Sequence, residues 1–346
     1  MKAVSAFFLL LLTAASGSWV PQTSGVQASF RGISTVNATT AWVSGSGGTI
    51  LRTTDGGERW TRVTTPAGAE RLDFRDVHGV DANTAYILSI GDGESSRIYK
   101  TGDSGSTWTL QFKNDKPKGF FDGMAFWNAD HGIAISDPVD GKIVIIRTTD
   151  GGAHWTDVPP ANIPEAISGE AMFAASGTSI VVQGDNNAWI GTGGGAARVF
   201  RSTDGGTTWT VASTPIINGQ AAGIFSVAFR DAMNGVVVGG DYQKEKEASA
   251  NFAITSDGGR TWKAGTQIQG FRSAAAFIRS GNRWDLVASG PSGSDYSSDG
   301  GVTWSSIGTT GYHTFSFLAN PAAGFAAGGA GRIGKWQTGE GGVRLR

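Results

Sequence analysis

One eight-residue pattern is written six times in the chain: TTDGGERW at 53–60, TGDSGSTW at 101–108, TTDGGAHW at 148–155, STDGGTTW at 202–209, TSDGGRTW at 255–262 and SSDGGVTW at 297–304. Its aspartates, Asp55, Asp103, Asp150, Asp204, Asp257 and Asp299, stand 42 to 54 residues apart. A repeat of that length in β-type sequence points to propeller blades of four strands each. The segments before the turns (ILRTT, IYKT, IVIIRTT, VFRST, FAITS) read as third strands. The short polar alternation after each Trp reads as a solvent-facing outer strand. The turn explains itself as scaffold. Its Asp accepts backbone N–H bonds, its Gly takes positive φ, and its Trp packs on neighbouring strands while its N–H finds a partner. A single active site would not need six copies.

Six turns still imply seven blades. Residues 40–54 (TAWVSGSGGTILRTT) have a degenerate copy at 324–337 (GFAAGGAGRIGKWQ), which supplies inner strands but neither an Asp turn nor an outer strand. The missing outer strand is expected from the other end of the chain, in SWVPQTSG at 18–25. That pairing would close the ring and remove free sheet edges. Seven blades of about 47 residues fit the length. The fold class expected is therefore all-β, a seven-bladed propeller of four-stranded blades with the last blade closed by the N-terminal strand.

The N-terminus reads differently. MKAVSAFFLLLLTAASGS has one Lys, an apolar run and then small residues, the order of a secretory signal. Cleavage is expected between Ala15 and Trp19. The expected division is a signal peptide at 1–18, the propeller at 19–337 and a flexible tail at 338–346. The mature protein should be exported to a periplasmic or extracellular space or the equivalent organelle lumen. A formal net charge of −1 argues against nucleic-acid or membrane-surface binding. The absence of Cys removes disulfides, thiolate metal sites and a Cys nucleophile. His78, His131, His154 and His313 show no metal-ligand spacing, so no metal site is expected, and no cofactor is called for. The Gly-rich run at 191–195 lacks the Lys-Ser/Thr of a phosphate loop and reads as a flexible loop.

Function should sit on the rim opposite the Asp turns, where the connecting loops vary most. Residues 29–42 (SFRGISTVNATTAW) align without a gap on 73–86 (DFRDVHGVDANTAY), so Arg31 falls on Arg75. The same phase places Asp122 in the third blade, Arg272 in the sixth, Glu170 one position off in the fourth, and Tyr312 and His313 in the seventh. The expectation is a channel mouth where Arg31, Arg75 and Arg272, with His313, form a binding group facing Asp122 and Glu170. Arg forks suit carboxylate or phosphate groups. Tyr242 points to the same rim, while the KEKE run after it reads as a solvated loop. The bland alternative is that each charge merely satisfies a neighbour across the blades.

The repeated turns resemble the Asp boxes, S/T-x-D-x-G-x-x-W, of bacterial neuraminidase repeats, where they are fold elements away from the catalytic pocket. The blade text, GSGGTILRTTDGGERW at 45–60 with GGAGRIGK at 328–335, resembles the photosystem II stability/assembly factor family of seven-bladed propellers. That resemblance implies an exported, non-catalytic scaffold, a monomer, that docks a membrane-protein complex or other protein partner through an Arg-bearing face. The other reading is a glycoside hydrolase of the neuraminidase or xyloglucanase kind acting on glycans, with Asp122, Glu170, Tyr242 or Tyr312 as candidate catalytic groups. Against it, the Phe-Arg-Ile-Pro motif of neuraminidases is absent, FRGI at residues 30–33 being a partial echo, and xyloglucanases pair two propellers where this chain has length for one.

Overall fold

The computed structural model of the chain describes residues 17–318 and 323–338. These residues form seven antiparallel sheets, six of four strands and one of six. The innermost strands are Phe30–Thr35, Phe74–Gly79, Phe121–Phe126, Ile180–Gln183, Gly219–Phe229, Ala274–Ser280 and Thr314–Phe317, of blades 1 to 7 in that order. Each touches the next, and the last touches the first, so the sheets form a ring. The sixfold sheet is blade 5, to whose inner strand the short strands Glu170–Ala171 and Gly193–Gly194 are added. Among the described residues the only helical turns are the three-residue 3-10 segments Gly93–Ser95 and Pro160–Asn162.

In blade 7, Gly17–Gln22 pairs with Ile333–Thr338, in register from Gly17↔Thr338 to Gln22↔Ile333. The strand begins two residues before Trp19. The tail expected after Thr338 and the leader before Gly17 lie outside the described residues.

No single core holds the ring. Seven apolar clusters lie one in each seam between neighbouring blades. Blades 3 and 4, for instance, bury Ile133, Ile135, Ile145, Ile190, Phe200 and Trp209 between them. Continuous apolar strands such as IVII are what a sheet covered on both faces requires.

The Asp turns are built alike. In the first, Asp55 Oδ1 accepts the Thr53 hydroxyl at 2.8 Å and the Arg59 N–H at 3.0 Å, and Thr53 Oγ1 accepts the Gly57 N–H at 3.0 Å. The carboxylates of Asp103, Asp150, Asp204, Asp257 and Asp299 accept the N–H of the residue four positions on in the same way. These bonds hold the Asp103, Asp150 and Asp257 carboxyls down to about 2.

The turn Trp side chains depart from expectation. Trp108 and Trp209 donate to Thr64 and Gly206 carbonyls, but the Nε1 of Trp60, Trp155, Trp262 and Trp304 has no hydrogen-bond partner. Ring packing replaces the bond: Trp60 and Trp304 stand edge-to-face on Phe325 and Phe252 at 5.5 and 5.2 Å.

The turn also does something the sequence did not announce. It is a socket for the preceding blade. Lys335 of blade 7 donates to the Gly56 carbonyl at 2.6 Å, and Lys100 of blade 2 to the Gly151 carbonyl at 2.9 Å, joined there by the Tyr86 hydroxyl at 2.7 Å. Arg147 of blade 3 reaches Thr207 at 2.9 Å, and Trp189 of blade 4 the Gly258 carbonyl at 2.8 Å. Arg52 of blade 1 reaches the Ala82 carbonyl, next to the Asn83 carbonyl that accepts the Ser104 N–H of the blade 2 turn. In blade 5 the equivalent residue is Ile254, which is left 38% exposed.

Charge-assisted bonds of this kind are worth about 1.5–3 kcal/mol. Lys335→Met should therefore lower stability by about 1–2 kcal/mol, measured by denaturant titration. Ile254→Arg should raise it by up to about 1 kcal/mol, because blade 5 gains the missing arm. An unchanged midpoint in both variants would show that the arms are decorative.

Candidate functional site

Five of the six Asp turns bond to the first connection of their own blade, as Gly56 N–H does to the Thr39 carbonyl. The starts of the inner strands therefore lie on the opposite rim. There, a backbone irregularity decides which side chains meet. In blades 1, 2 and 3 a β-bulge falls at the second residue of the inner strand, between Phe30 and Gly32, Phe74 and Asp76, and Phe121 and Gly123, and in blade 5 one falls farther along the longer inner strand, between Ile224 and Ser226. The bulged residues are Arg31, Arg75, Asp122 and Phe225. A bulge re-aims a side chain that the pleat would otherwise send to a face of the sheet.

The channel beneath them is not open. Residues 172–178, on the way into blade 4, cross it as a plug. The Ala174, Ala175 and Ser176 carbonyls accept from Arg75 Nη1 at 3.1 Å, Arg31 Nη1 at 3.3 Å and Thr314 Oγ1 at 2.7 Å. Met172 N–H donates to Asp137 at 2.7 Å, and Val227 N–H to the Thr178 carbonyl at 2.9 Å. Gly177, at φ 70°, lies over Asp76. A Cβ there would sit 2.4 Å from Oδ1, so only glycine fits.

Above the plug is a cavity of about 350 Å3. Arg31, Arg75 and His313 form one wall; Phe173, Phe225, Tyr242 and Phe271 form another, with Glu245 on the rim. Arg75 is paired with Asp73 at 2.9 Å, whereas Arg31 makes no ion pair among the described residues. Burial and then the neighbouring Arg75 pull the Arg31 guanidinium down to about 10. Burial, followed by Arg31, Arg332 and Arg75, pushes His313 down to about 3, so its ring is neutral. The site is thus a cationic pocket short of anions.

The other expected members go elsewhere. Arg272 is buried and held by Asp295 at 2.6 Å, with the Phe271 carbonyl and Ser292 as further acceptors. The inner pair of blade 6 has no bulge, its ladder running unbroken from Ala274↔Ser289. Its Phe-Arg pair is therefore turned over, and Phe271 reaches the cavity in place of Arg272. Glu170 is buried against Arg198 and accepts Thr192 Oγ1 at 2.6 Å and Ile167 N–H at 2.8 Å. Tyr312 is 1% exposed, packed against Trp19 in the seam of blades 6 and 7, and burial raises its hydroxyl. Tyr242, 44% exposed, lies edge-on to Phe173 and Phe225. Sequence reading missed Phe173, Phe225 and Phe271. Phe225 was findable, because GIFSVAF repeats the phase of SFRGIST with Phe in place of Arg.

Asp122 lies below the cavity, 1% exposed. Neither oxygen has a hydrogen-bond partner of normal geometry, and the nearby Asp137 N–H is engaged by the Phe120 carbonyl. Burial and the Asp137 charge hold its carboxyl well above the usual range, with Arg75 opposing. Burial also raises Asp137 to about 6 and Asp76 to about 7, although Asp76 accepts the Val77 and Met124 N–H groups. No group of three or more metal-ligating side chains occurs among the described residues.

These three carboxyls bind protons more tightly folded than unfolded. The stability they hold is complete below the unfolded carboxylate range near pH 4 and is lost as pH rises past about 6 for Asp137 and about 7 for Asp76. Asp122→Asn should consequently raise the melting temperature more at pH 8 than at pH 5. A variant less stable at pH 8 than the parent would mean that an ionised Asp122 is holding something in place.

No protein-family model matches the chain. A xyloglucanase of Paenibacillus sp. is 26% identical over 195 residues, 48% of this chain and 18% of that one. The chloroplastic photosystem II stability/assembly factor HCF136 of Cyanidioschyzon merolae is 26% identical over 216 residues, 57% of this chain and 46% of that one. The photosystem II assembly lipoprotein Ycf48 of Nostoc sp. is 27% identical over 215 residues, 60% and 55%. The chain spans about half the length of the two assembly factors and less of the xyloglucanase. Among solved structures, YCF48 bound to D1 peptide superposes with a TM-score of 0.65 at 18% identity, covering 93% of this chain and 95% of that one. An ancestral GH74 enzyme does so at 0.66 and 14% identity, covering 94% and 48%. Those identities speak to the fold alone. The sequence resemblance is thereby matched: the chain is similar to photosystem II assembly factors of the Ycf48/HCF136 kind and, over a shorter share, to a xyloglucanase.

Proposed function

We propose that the chain is an exported, non-catalytic propeller, acting as a monomer, that docks a partner protein of a membrane complex on the rim opposite the Asp turns. In this reading Gly17–Gln22 is the strand that closes the ring. The observation that carries it is the convergence of Arg31 and Arg75 at the channel mouth, Arg31 without an ion pair and above a plug that leaves no through channel. Two guanidinium forks with donors to spare suit a carboxylate-bearing partner. The similarity to assembly factors supports a scaffold role.

The hydrolase reading draws on the similarity to a xyloglucanase. It needs two carboxyl groups flanking an accessible glycosidic bond. Asp122 is 1% and Glu170 4% exposed, and Glu170 is spent on Arg198. Tyr312 is sealed in a seam, and no hydrogen bond among the described residues joins the Tyr242 hydroxyl to Glu245 or His313, the cavity-lining groups that could serve as its base. The geometry favours binding.

The test is cross-linked co-isolation of the tagged mature protein from its native envelope, with Arg31→Gln/Arg75→Gln as the comparison. A specific membrane-protein partner should be captured by the parent and reduced at least tenfold in the double variant, whose melting curve checks that it is folded. Arg272 is left unchanged because Arg272→Ala would strand Asp295 in the core. Equal capture by both proteins, or release of sugars from xyloglucan by the parent, overturns the proposal.

A further inference from the structure

The cavity has two chemically distinct walls, and the second has no role in the docking reading so far. Phe225 is aimed into it by the blade 5 bulge. Phe173 of the plug stacks on Phe225 at 4.0 Å with an interplanar angle of 6°, and Phe271 meets Phe225 edge-on at 4.6 Å. These rings, with Ala175, form an eighth apolar cluster, apart from the seven in the seams. Tyr242 stands over them. An aromatic cluster at a channel mouth, where the seams no longer need it, is what an apolar ligand group requires.

We infer that the cavity reads a peptide group in which a bulky apolar side chain adjoins a carboxylate. The inference rests on the docking reading and names the chemistry recognised there. Arg31 and Arg75 would take the carboxylate, the neutral His313 would leave that charge unopposed, and the Phe225 wall would cover the apolar side chain. A volume of about 350 Å3 is near the lower end for ligand sites, which suits one side chain and its acid group. A glycan fits less well. The Phe173 and Phe225 faces already cover each other, and the charged groups of the cavity are two cations facing a single rim carboxylate, Glu245. Glu245 is near enough to act on the Arg31 charge, so it competes with the ligand. Its removal should tighten binding.

Four probes separate the terms by calorimetric titration of the full protein. N-acetylphenylalanine carries ring and terminal carboxylate, and N-acetylphenylalaninamide the ring alone. N-acetylglycine carries the carboxylate alone, and N-acetyl-Phe-Asp-amide places the carboxylate on a side chain. The first should bind at least tenfold more tightly than the second and third. The fourth tells a chain terminus from an acidic residue as the source, and binding of either kind supports the inference. Tyr242→Ala, at an exposed position that should not disturb folding, should narrow the preference over N-acetylglycine about threefold, and Glu245→Gln should tighten binding of the acids about threefold. Equal binding of N-acetylphenylalanine and N-acetylglycine overturns the aromatic wall. So does displacement of N-acetylphenylalanine by a neutral xyloglucan oligosaccharide. If no probe binds while Arg31 and Arg75 still capture a partner, the ligand chemistry is wrong and docking stands; if neither occurs, both fall.

Discussion

The ring depends on a carbonyl. At each Asp turn the carboxylate ties up the N–H groups of its own loop, which leaves turn carbonyls pointing outward along the rim. A turn held only by its own bonds would be a satisfied surface loop. Here the outward carbonyls of Gly56, Gly151 and Gly258 receive Lys335, Lys100 and Trp189 from the blade before. The turn thus acts as a coupling between blades. This explains its repetition better than local turn geometry does, because a repeat protein is as stable as its interfaces between neighbours. It also gives a reason for the basic residue that ends strand three before Thr at Arg52, Lys100 and Arg147.

The opposite rim follows from a different constraint. Propeller strands converge on the axis, and the pleat alone would send their second residues into the seams. The bulges at Arg31, Arg75 and Asp122 break that alternation where the strands start, and the one at Phe225 breaks it within the longer inner strand of blade 5. Each extra residue turns a side chain toward the axis at the cost of a ladder bond. The consequences differ by residue type. Arginine finds carbonyls and solvent, phenylalanine finds other rings, and Asp122 finds no hydrogen-bond donor of normal geometry, so burial holds its carboxyl well above the usual range despite Arg75.

Much of this was readable in advance. The count of blades came from the period of the turns and the degenerate copy at 324–337, both of which are local patterns. The placement of Arg31 on Arg75 came from a gapless match of two strands that share the same bulge. Arg272 misled because GFRSAAAF matches in letters but not in backbone. One missing bulge exchanges the two faces, and a bulge leaves little trace in composition. Glu170 misled for a related reason: its position was counted along the chain, while the plug bends away from the strand and hands it to Arg198. The plug itself was invisible, since AMFAASGTS reads as an ordinary connection until Gly177 is seen against Asp76.

The plug changes what the cavity can do. It is tied to blades 1, 2, 3, 5 and 7 by bonds to Arg31, Arg75, Asp137, Val227 and Thr314. A floor held from so many sides does not reorganise when a ligand arrives, so little ordering entropy is lost on binding. The same bonds place a limit on the arginines. Each has already given one N–H to the floor, Arg75 gives its Nε–H to Asp73 and Arg31 Nε is buried, so only part of each fork is left for a ligand. A pocket of this size, with its donors partly spent, supplies an anchor rather than a whole interface. The additional contact area that a specific complex needs has to come from the rim loops around it, such as the one at 241–250 whose Glu245 carbonyl is pinned by Phe271 and Ser292. Recognition would then be divided: the fixed cavity selects one residue of the partner, and the more variable loops decide which partner may present it.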